Sequence, residues 1–277
     1  MNVIRTIKKS NLINNPMKRA FCNVTVAPLR AEPSDRSEMV SQLLFAEYVE
    51  IVSENPKWAL IKSLYDAYGG WIDKKQLANI EGETSHKEHL TNGVVSVDLW
   101  SKAINLNTGE TVIICLGTIL PIVVDGKFTL EGVSYSFEGN VKPLNVKLPI
   151  KQISQSAQLL IGTSYLWGGR TPIGIDCSGF TQLVYRLNGI PLHRDAWQQS
   201  EQGLPVDFTL EAQPGDLAFF DNLDGAITHV GIIVGDSKIV HASGKVRVDL
   251  LDHQGIFNAE TKTYTHKLRV IKRLCIS

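Results

Sequence analysis

An excess of either charge is what this sequence most plainly lacks. Its 277 residues include 28 lysines and arginines and 28 aspartates and glutamates, so the formal net charge is zero. With no basic excess there is no electrostatic footprint for nucleic acid or an anionic membrane surface, and neither is expected as a partner. Long apolar runs are missing too. No stretch of about 18 apolar residues occurs, so no transmembrane helix is expected. The first residues carry basic side chains but no apolar segment of signal-peptide length, and the apolar residues just ahead of Cys22 are too few for a lipoprotein signal. The expected location is therefore the cytoplasm. Cysteine is scarce. Cys22, Cys115, Cys177 and Cys275 show no short paired spacing, which argues against a disulfide framework and suits a reducing compartment. Cys115 and Cys275 lie in apolar strings, Val112-Ile113-Ile114-Cys115-Leu116 and Leu274-Cys275-Ile276, and read as small buried hydrophobes.

The hydrophobic share, 43%, is enough for two or three buried cores. Three textures follow one another. Residues 21–80 alternate in short runs (Asn23–Val26, Tyr48–Val52, Trp58–Ile61) and end at Gly69-Gly70-Trp71-Ile72-Asp73, the pattern of a small all-β barrel with Trp58 and Trp71 in its core. Residues 81–90 read as a charged, solvated connector, in which His86 and His89 need no metal. Residues 91–148 repeat the β texture in Val94–Val97, Thr111–Leu116, Ile119–Val124 and Phe128–Leu130, which predicts a second small barrel. From residue 150 to 277 the pattern changes to α+β. A helix is predicted over Ile153–Ile161, a second one begins at Cys177, and strands follow at 217–220, 229–234 and 238–242.

The chemistry concentrates in the third stretch. Cys177 follows a glycine-rich loop and opens a segment in which Phe180, Leu183, Val184 and Leu187 repeat at helical spacing before Asn188-Gly189. A thiol at a helix N-terminus feels the positive end of the macrodipole, which is expected to lower its pKa toward a reactive thiolate. A cysteine nucleophile needs a base, and the base an orienting partner. His229 and His241 follow in order, separated by Gly235-Asp236-Ser237, which reads as a three-residue hairpin loop. If Val234 pairs with Lys238, Gly231 faces His241 and both imidazoles share a face, roughly 7–8 Å apart at the backbone. A one-residue change of register would separate them. Cys177, His229 and His241 contain no close ligand pair of the kind zinc sites use, so no metal and no cofactor is expected.

Tyr165-Leu166-Trp167-Gly168-Gly169, Asp176-Cys177-Ser178-Gly179-Phe180, Pro214-Gly215-Asp216-Leu217, His229-Val230-Gly231-Ile232 and His241-Ala242-Ser243 together resemble the NlpC/p60 family of bacterial cell-wall cysteine peptidases. The likeness spans residues 150–245 in the family's order. The two β modules resemble bacterial SH3-like domains, and the combination is similar to γ-D-glutamyl-L-diamino acid endopeptidases of the dipeptidyl-peptidase VI type. The resemblance implies a papain-like catalytic domain over residues 150–277, preceded by SH3-like barrels at 21–80 and 91–148. It implies Cys177 as nucleophile, His229 as base and His241 as the residue that orients the base. Tyr165 would lie near the scissile carbonyl, Asp176 and Ser178 would hold an L-Ala end, and Trp167 would wall that pocket. Arg194-Asp195 matches an Arg-Asp-Ser motif with Asp195 near the γ-D-Glu side; Ala196 stands here where the family has serine, so one hydroxyl contact is absent. From the first barrel, Glu38 and Tyr68 would reach the substrate amine.

The activity implied is hydrolysis of the γ-D-Glu–diamino acid bond in murein tri- or tetrapeptides with a free N-terminal L-Ala, by a monomer, in cell-wall peptide recycling. Lysine and diaminopimelate in the third position are not distinguished. Two other readings stay open at this level: an exported hydrolase of intact murein, and a wall-binding protein in which the cysteine domain is scaffold.

Overall fold

The computed structural model describes residues 18–80, 86–147 and 149–274, so Cys275 and residues 81–85 of the expected connector lie outside the described residues. Contacts divide the chain into two compact units, Met1–Lys142 and Pro143–Ser277. Among the described residues no helix is long and apolar enough to cross a membrane.

In the first unit, seven strands form one antiparallel sheet. They are Arg19–Cys22, Val26–Arg30, Met39–Leu44, Tyr48–Glu54, Trp58–Ser63, Gly69–Asp73 and Leu77–Ile80. Period-2 patterning is direct in Val26–Arg30 and Gly69–Asp73, whose alternate residues are buried. Leu29, Leu43, Val49, Ile61 and Ile72 meet in the core of this sheet. Trp58 is buried but Trp71 only half so. Residues 94–143 supply a four-stranded and a three-stranded sheet. The strand expected over Ile119–Val124 is only Ile119–Leu120, because Pro121 has no N–H to continue a ladder. Trp100–Asn105, which has a weak apolar pattern, forms the centre of the four-stranded sheet, between Thr111–Cys115 and Val133–Glu138.

The two β segments do not keep separate cores. Phe21, Phe45 and Tyr48 of the first pack in one cluster with Ile114, Phe128 and Tyr135 of the second. Phe45 meets Tyr135 edge-on at 5.8 Å, and the Tyr48 hydroxyl donates to Glu131 at 2.6 Å. The connector is not wholly solvated either. His86–Asn92 is a helix in which His89 is 4% exposed, with Nε2 3.0 Å from the Ile119 carbonyl and its ring edge-on to Tyr48 at 5.2 Å. Burial holds the His89 imidazole down at about 4, against the bond to Ile119, which favours the proton.

The second unit carries helices Ile150–Gln158, Cys177–Leu187 and Ala196–Gln199. Its sheet runs in the order Leu204–Val206, Thr263–Arg273, Leu217–Asp221, Ile227–Gly235, Lys238–Ser243, Lys245–Leu251, Gly255–Asn258. Gly255–Asn258 pairs back onto Thr263–Arg273, so six of these strands close on themselves. The first helix starts three residues earlier than its periodicity predicts. Leu159 and Ile161 are exposed in the turn that leads to Gly162, whose φ is +88°. The Cys177 helix is buried on every side rather than along one stripe. Two of its buried polar residues bond to neighbouring segments: Thr181 donates to Gln199 at 2.7 Å and Gln182 to the Leu192 carbonyl at 3.1 Å.

Because His89 stays neutral in the fold to about pH 4 but titrates near 6.5 when unfolded, the unfolded chain binds more protons between these values. Stability contributed by His89 should therefore fall as pH drops from 6.5 toward 4. Thermal melting of His89→Gln should show a smaller loss of Tm between pH 7 and pH 5 than the parent; equal losses would contradict this.

Candidate active site

The loop before the cysteine is shaped by one carboxylate. Asp176 is the N-cap of the Cys177 helix, with its Oδ1 accepting from the Gly179 N–H at 2.6 Å and its Oδ2 from the Gly168 N–H at 2.9 Å. Arg194, 1% exposed, grips the same carboxylate with both Nη atoms, at 3.0 and 2.6 Å, and donates to Ser178 Oγ at 2.9 Å. Ser178 in turn donates to Asp176 Oδ1 at 3.3 Å. Truncating one partner of such a buried pair costs about 3–5 kcal/mol. The resemblance implies that Asp176 and Ser178 hold an L-Ala end. In the structure Asp176 is already paired with Arg194 and is not a bare anion. Asp195 caps the short helix Ala196–Gln199, its N–H donating to Gln198 at 3.1 Å.

Cys177 stands at the first position of its helix and is 7% exposed. Its Sγ is 4.0 Å from the Thr228 carbonyl and also interacts with the backbone of Val230. The thiol is thus lodged against the backbone that carries His229. The expected activation by the helix terminus is outweighed here. Burial, and then the Asp176 charge, push the thiol up to about 12, against the lowering by the Val230 and Ser178 N–H groups and Arg194. Burial also drives the His229 imidazole well below its usual range, helped by His266 and His241. Both shifts favour the neutral forms of the Cys177 thiol and the His229 imidazole.

His229 and His241 do share a face, with Gly231 opposite His241. The hairpin reaches this register by a different route from the expected three-residue loop. The turn is two residues, Asp236 and Ser237, both with positive φ (+51° and +53°), and it closes on a Gly235–Lys238 pair. A bulge between Ile233 and Gly235 restores the register. Without it, that turn would pair His241 with Ile232 and send the two imidazoles to opposite faces. As built, His229 Nε2 lies 2.8 Å from His241 Nδ1. Gly231 allows the approach, since a Cβ there would stand 2.9 Å from His241 Cβ and 2.7 Å from Ile239 Cδ1.

Three residues that the sequence did not single out complete the cluster. His241 Nε2 is 2.9 Å from Asp249 Oδ2, and Arg247 brackets the same carboxylate at 2.8 and 3.0 Å. His266 stacks on His229 with ring centroids 4.0 Å apart and planes 24° apart. The nitrogens of His229, His241 and His266 lie within 4.8 Å of one another. Their arrangement suits ring packing better than a metal: stacked rings run their lone pairs side by side, and the 2.8 Å His229–His241 contact is shorter than the ~3.3 Å between ligand nitrogens of a tetrahedral zinc. A signal for Asp249 was present in the sequence. The strand pairing pivots on Gly244, which sets His241 opposite Arg247 and Asp249 two residues on, on the same face. No sequence signal points to His266, because ring closure brings it in from the last strand.

Tyr165 is half-buried, and burial, then Cys177 and Asp176, raise its phenol above the ordinary range, so it remains a hydroxyl donor. Trp167 is 60% exposed beside it in sequence. In the first unit, the Ala31 N–H donates to the Glu38 carbonyl at 3.0 Å, and Arg30 pairs with Trp71. Glu38 and Tyr68 therefore come to the same end of neighbouring strands. Glu38 is exposed, and Tyr68 is half-buried against the core.

A helix-terminal thiol against the strand that carries a linked histidine pair is the arrangement expected of a cysteine hydrolase. The sequence profile of the NlpC/P60 family matches residues 162–266, and that of the bacterial dipeptidyl-peptidase SH3 domain matches 29–77. The γ-D-glutamyl-L-lysine dipeptidyl-peptidase of Bacillus subtilis is 31% identical over 220 residues, covering 73% of this chain and 71% of that one. Dipeptidyl-peptidase 6 of Lysinibacillus sphaericus is 28% identical over 269 residues, covering 83% and 90%. The crystal structure of an NlpC/P60 family protein from Bacillus cereus superposes with a TM-score of 0.80 at 20% identity, over 92% of this chain and 99% of that one, and so shares the fold. The chain belongs to the NlpC/P60 family of cysteine peptidases, with a bacterial SH3 domain ahead of the peptidase domain.

Two outcomes test this geometry. Gly231→Ala should lower kcat/KM at least roughly 10-fold, with a stability loss of about 1–3 kcal/mol, because the new methyl displaces His241; unchanged turnover would show that the close approach is unimportant. Substrate-free alkylation of Cys177 by iodoacetamide should be slow at pH 7 and still rising at pH 10, since the thiolate appears only as pH approaches about 12. A rate already level below pH 7 would mean a preformed thiolate–imidazolium pair.

Proposed function

We propose that the protein hydrolyses the γ-D-Glu–diamino acid bond of murein peptides that begin with a free L-Ala, as a step in recycling wall peptides. The observations that support this most are the linked His229–His241 pair, with Cys177 set against the backbone on either side of His229, and a likeness to the B. subtilis enzyme that runs for 220 residues. That is longer than the unit formed by residues 143–277, so the likeness includes the N-terminal unit as well.

The chemistry follows from the resting protonation. Substrate binding brings the scissile carbonyl to the neutral Cys177. His229 takes the thiol proton as sulfur adds to the carbonyl carbon. The N–H of Cys177 is in the first helical turn, where donors have no partner inside the helix, and it stabilises the oxyanion together with the Tyr165 hydroxyl. Protonated His229 then gives its proton to the leaving amine, and a thioester to Cys177 remains. Water, deprotonated by the same imidazole, releases L-Ala-D-Glu and restores the thiol. Within the second unit, Trp167 is the proposed wall of the L-Ala pocket and Asp195 lies on the D-Glu side; within the first unit, Glu38 and Tyr68 are the residues that the resemblance assigns to the substrate amine.

Mass spectrometry of the protein incubated with L-Ala-γ-D-Glu-diaminopimelate and with its lysine counterpart should show L-Ala-D-Glu release, and none from Cys177→Ala. The N-acetylated peptide should be cleaved at least roughly 10-fold less efficiently by the parent, and that difference should narrow in Glu38→Gln. Equal cleavage of free and acetylated peptides would exclude an amine pocket; no cleavage of either would exclude this substrate class.

A further inference from the structure

We propose that Asp249, held by Arg247, is a positioning residue that sets the tautomer of both active-site histidines. The proposal rests on His229 being the base. Asp249 is 8% exposed and His241 1%. Its oxygens meet His241 Nε2 at 2.9 Å, and Arg247 at 2.8 Å through Nε and 3.0 Å through Nη2. Arg247 is itself 3.6 Å from the exposed Glu260. Burial alone would raise the Asp249 carboxyl, but the bonds from His241 and Arg247 outweigh it and hold it below the usual carboxylate range. At neutral pH the group is therefore an anion that can only accept.

That one property determines a chain of protons. An acceptor at Oδ2 requires the proton of neutral His241 on Nε2. His241 Nδ1 is then a bare lone pair, and the His229 nitrogen 2.8 Å away, Nε2, must donate to it. With its proton on Nε2, neutral His229 has an unprotonated Nδ1. That nitrogen is the one able to take the proton of Cys177. If Asp249 is removed, His241 can carry its proton on Nδ1 instead. It would then donate to His229 Nε2 and force the His229 proton onto Nδ1, where the base is blocked. The chain needs no charge on His241. It answers how a neutral third residue can orient a base: the direction comes from the carboxylate behind it. The stacked His266 supports the His229 ring but offers no such direction, since its Nδ1 bonds Thr265 Oγ1 at 2.9 Å.

The decisive experiment is a double-mutant cycle read beside a direct tautomer measurement. Asp249→Ala should lower kcat/KM roughly 10–100-fold, mostly in kcat, with KM little changed. In a His241→Asn background, where the third residue has no tautomer to choose, the same substitution should cost less than about 3-fold. An equal loss in both backgrounds would show that Asp249 acts only through the fold, and no loss in the parent would also overturn the proposal. Nitrogen-15 NMR of histidine-labelled parent protein at neutral pH needs neither substrate nor a folded variant. It should show the proton of His241 on Nε2 and that of His229 on Nε2. A His241 proton on Nδ1 would refute the chain even if the substrate assignment stands. The expected tautomers in a protein that leaves murein peptides intact would instead leave the chain standing and fault the substrate.

Discussion

The pairing of Gly231 with His241 is the constraint on which the rest of the site depends. Antiparallel strands carry side chains with a period of two, so a register shifted by one residue moves a whole set of side chains to the other face. Here the tight turn at Asp236 and Ser237 would by itself impose the wrong register, and the bulge before Gly235 corrects it. The next pairing, which pivots on Gly244, then places Asp249 behind His241. One extra residue in a strand thus aligns three polar side chains carried by three consecutive strands.

Burial accounts for the electrostatics of the same site. Cys177, His229, His241, Asp176 and Asp249 are each less than a tenth exposed. Charges at that depth persist only with partners, and both carboxylates have an arginine: Arg194 for Asp176 and Arg247 for Asp249. Among the described residues no ion pair includes the thiol or the His229 imidazole, and burial shifts both toward their neutral forms. Charge at this site is thus carried by the two arginine-paired carboxylates, Asp176 at the loop before the helix and Asp249 behind His241.

The N-terminal unit obeys the same economy of burial with apolar side chains. Two β segments share a cluster of Phe21, Phe45, Tyr48, Phe128 and Tyr135, and the helix between them contributes buried His89. A charged segment such as residues 86–92 reads as solvated because its composition is polar. It is partly buried because Tyr48 and the Ile119 carbonyl give one imidazole both an aromatic wall and a hydrogen bond.

By itself the sequence determined the parts whose cause is local. The thiol at a helix start follows from a glycine-rich loop and an apolar repeat, both within residues 167–187. The shared face of His229 and His241 follows from their spacing across a hairpin. The β character of residues 21–80 follows from alternation. What only the tertiary structure decided depends on distant segments meeting. The bulge at Val234 leaves no trace in residue type. Arg194 closes on Asp176 from a loop eighteen positions away, and His266 reaches His229 only because the last strand completes the ring of pairings. Burial decided the charge state of Cys177, because a helix terminus favours a thiolate by an amount that is smaller than the cost of desolvating one.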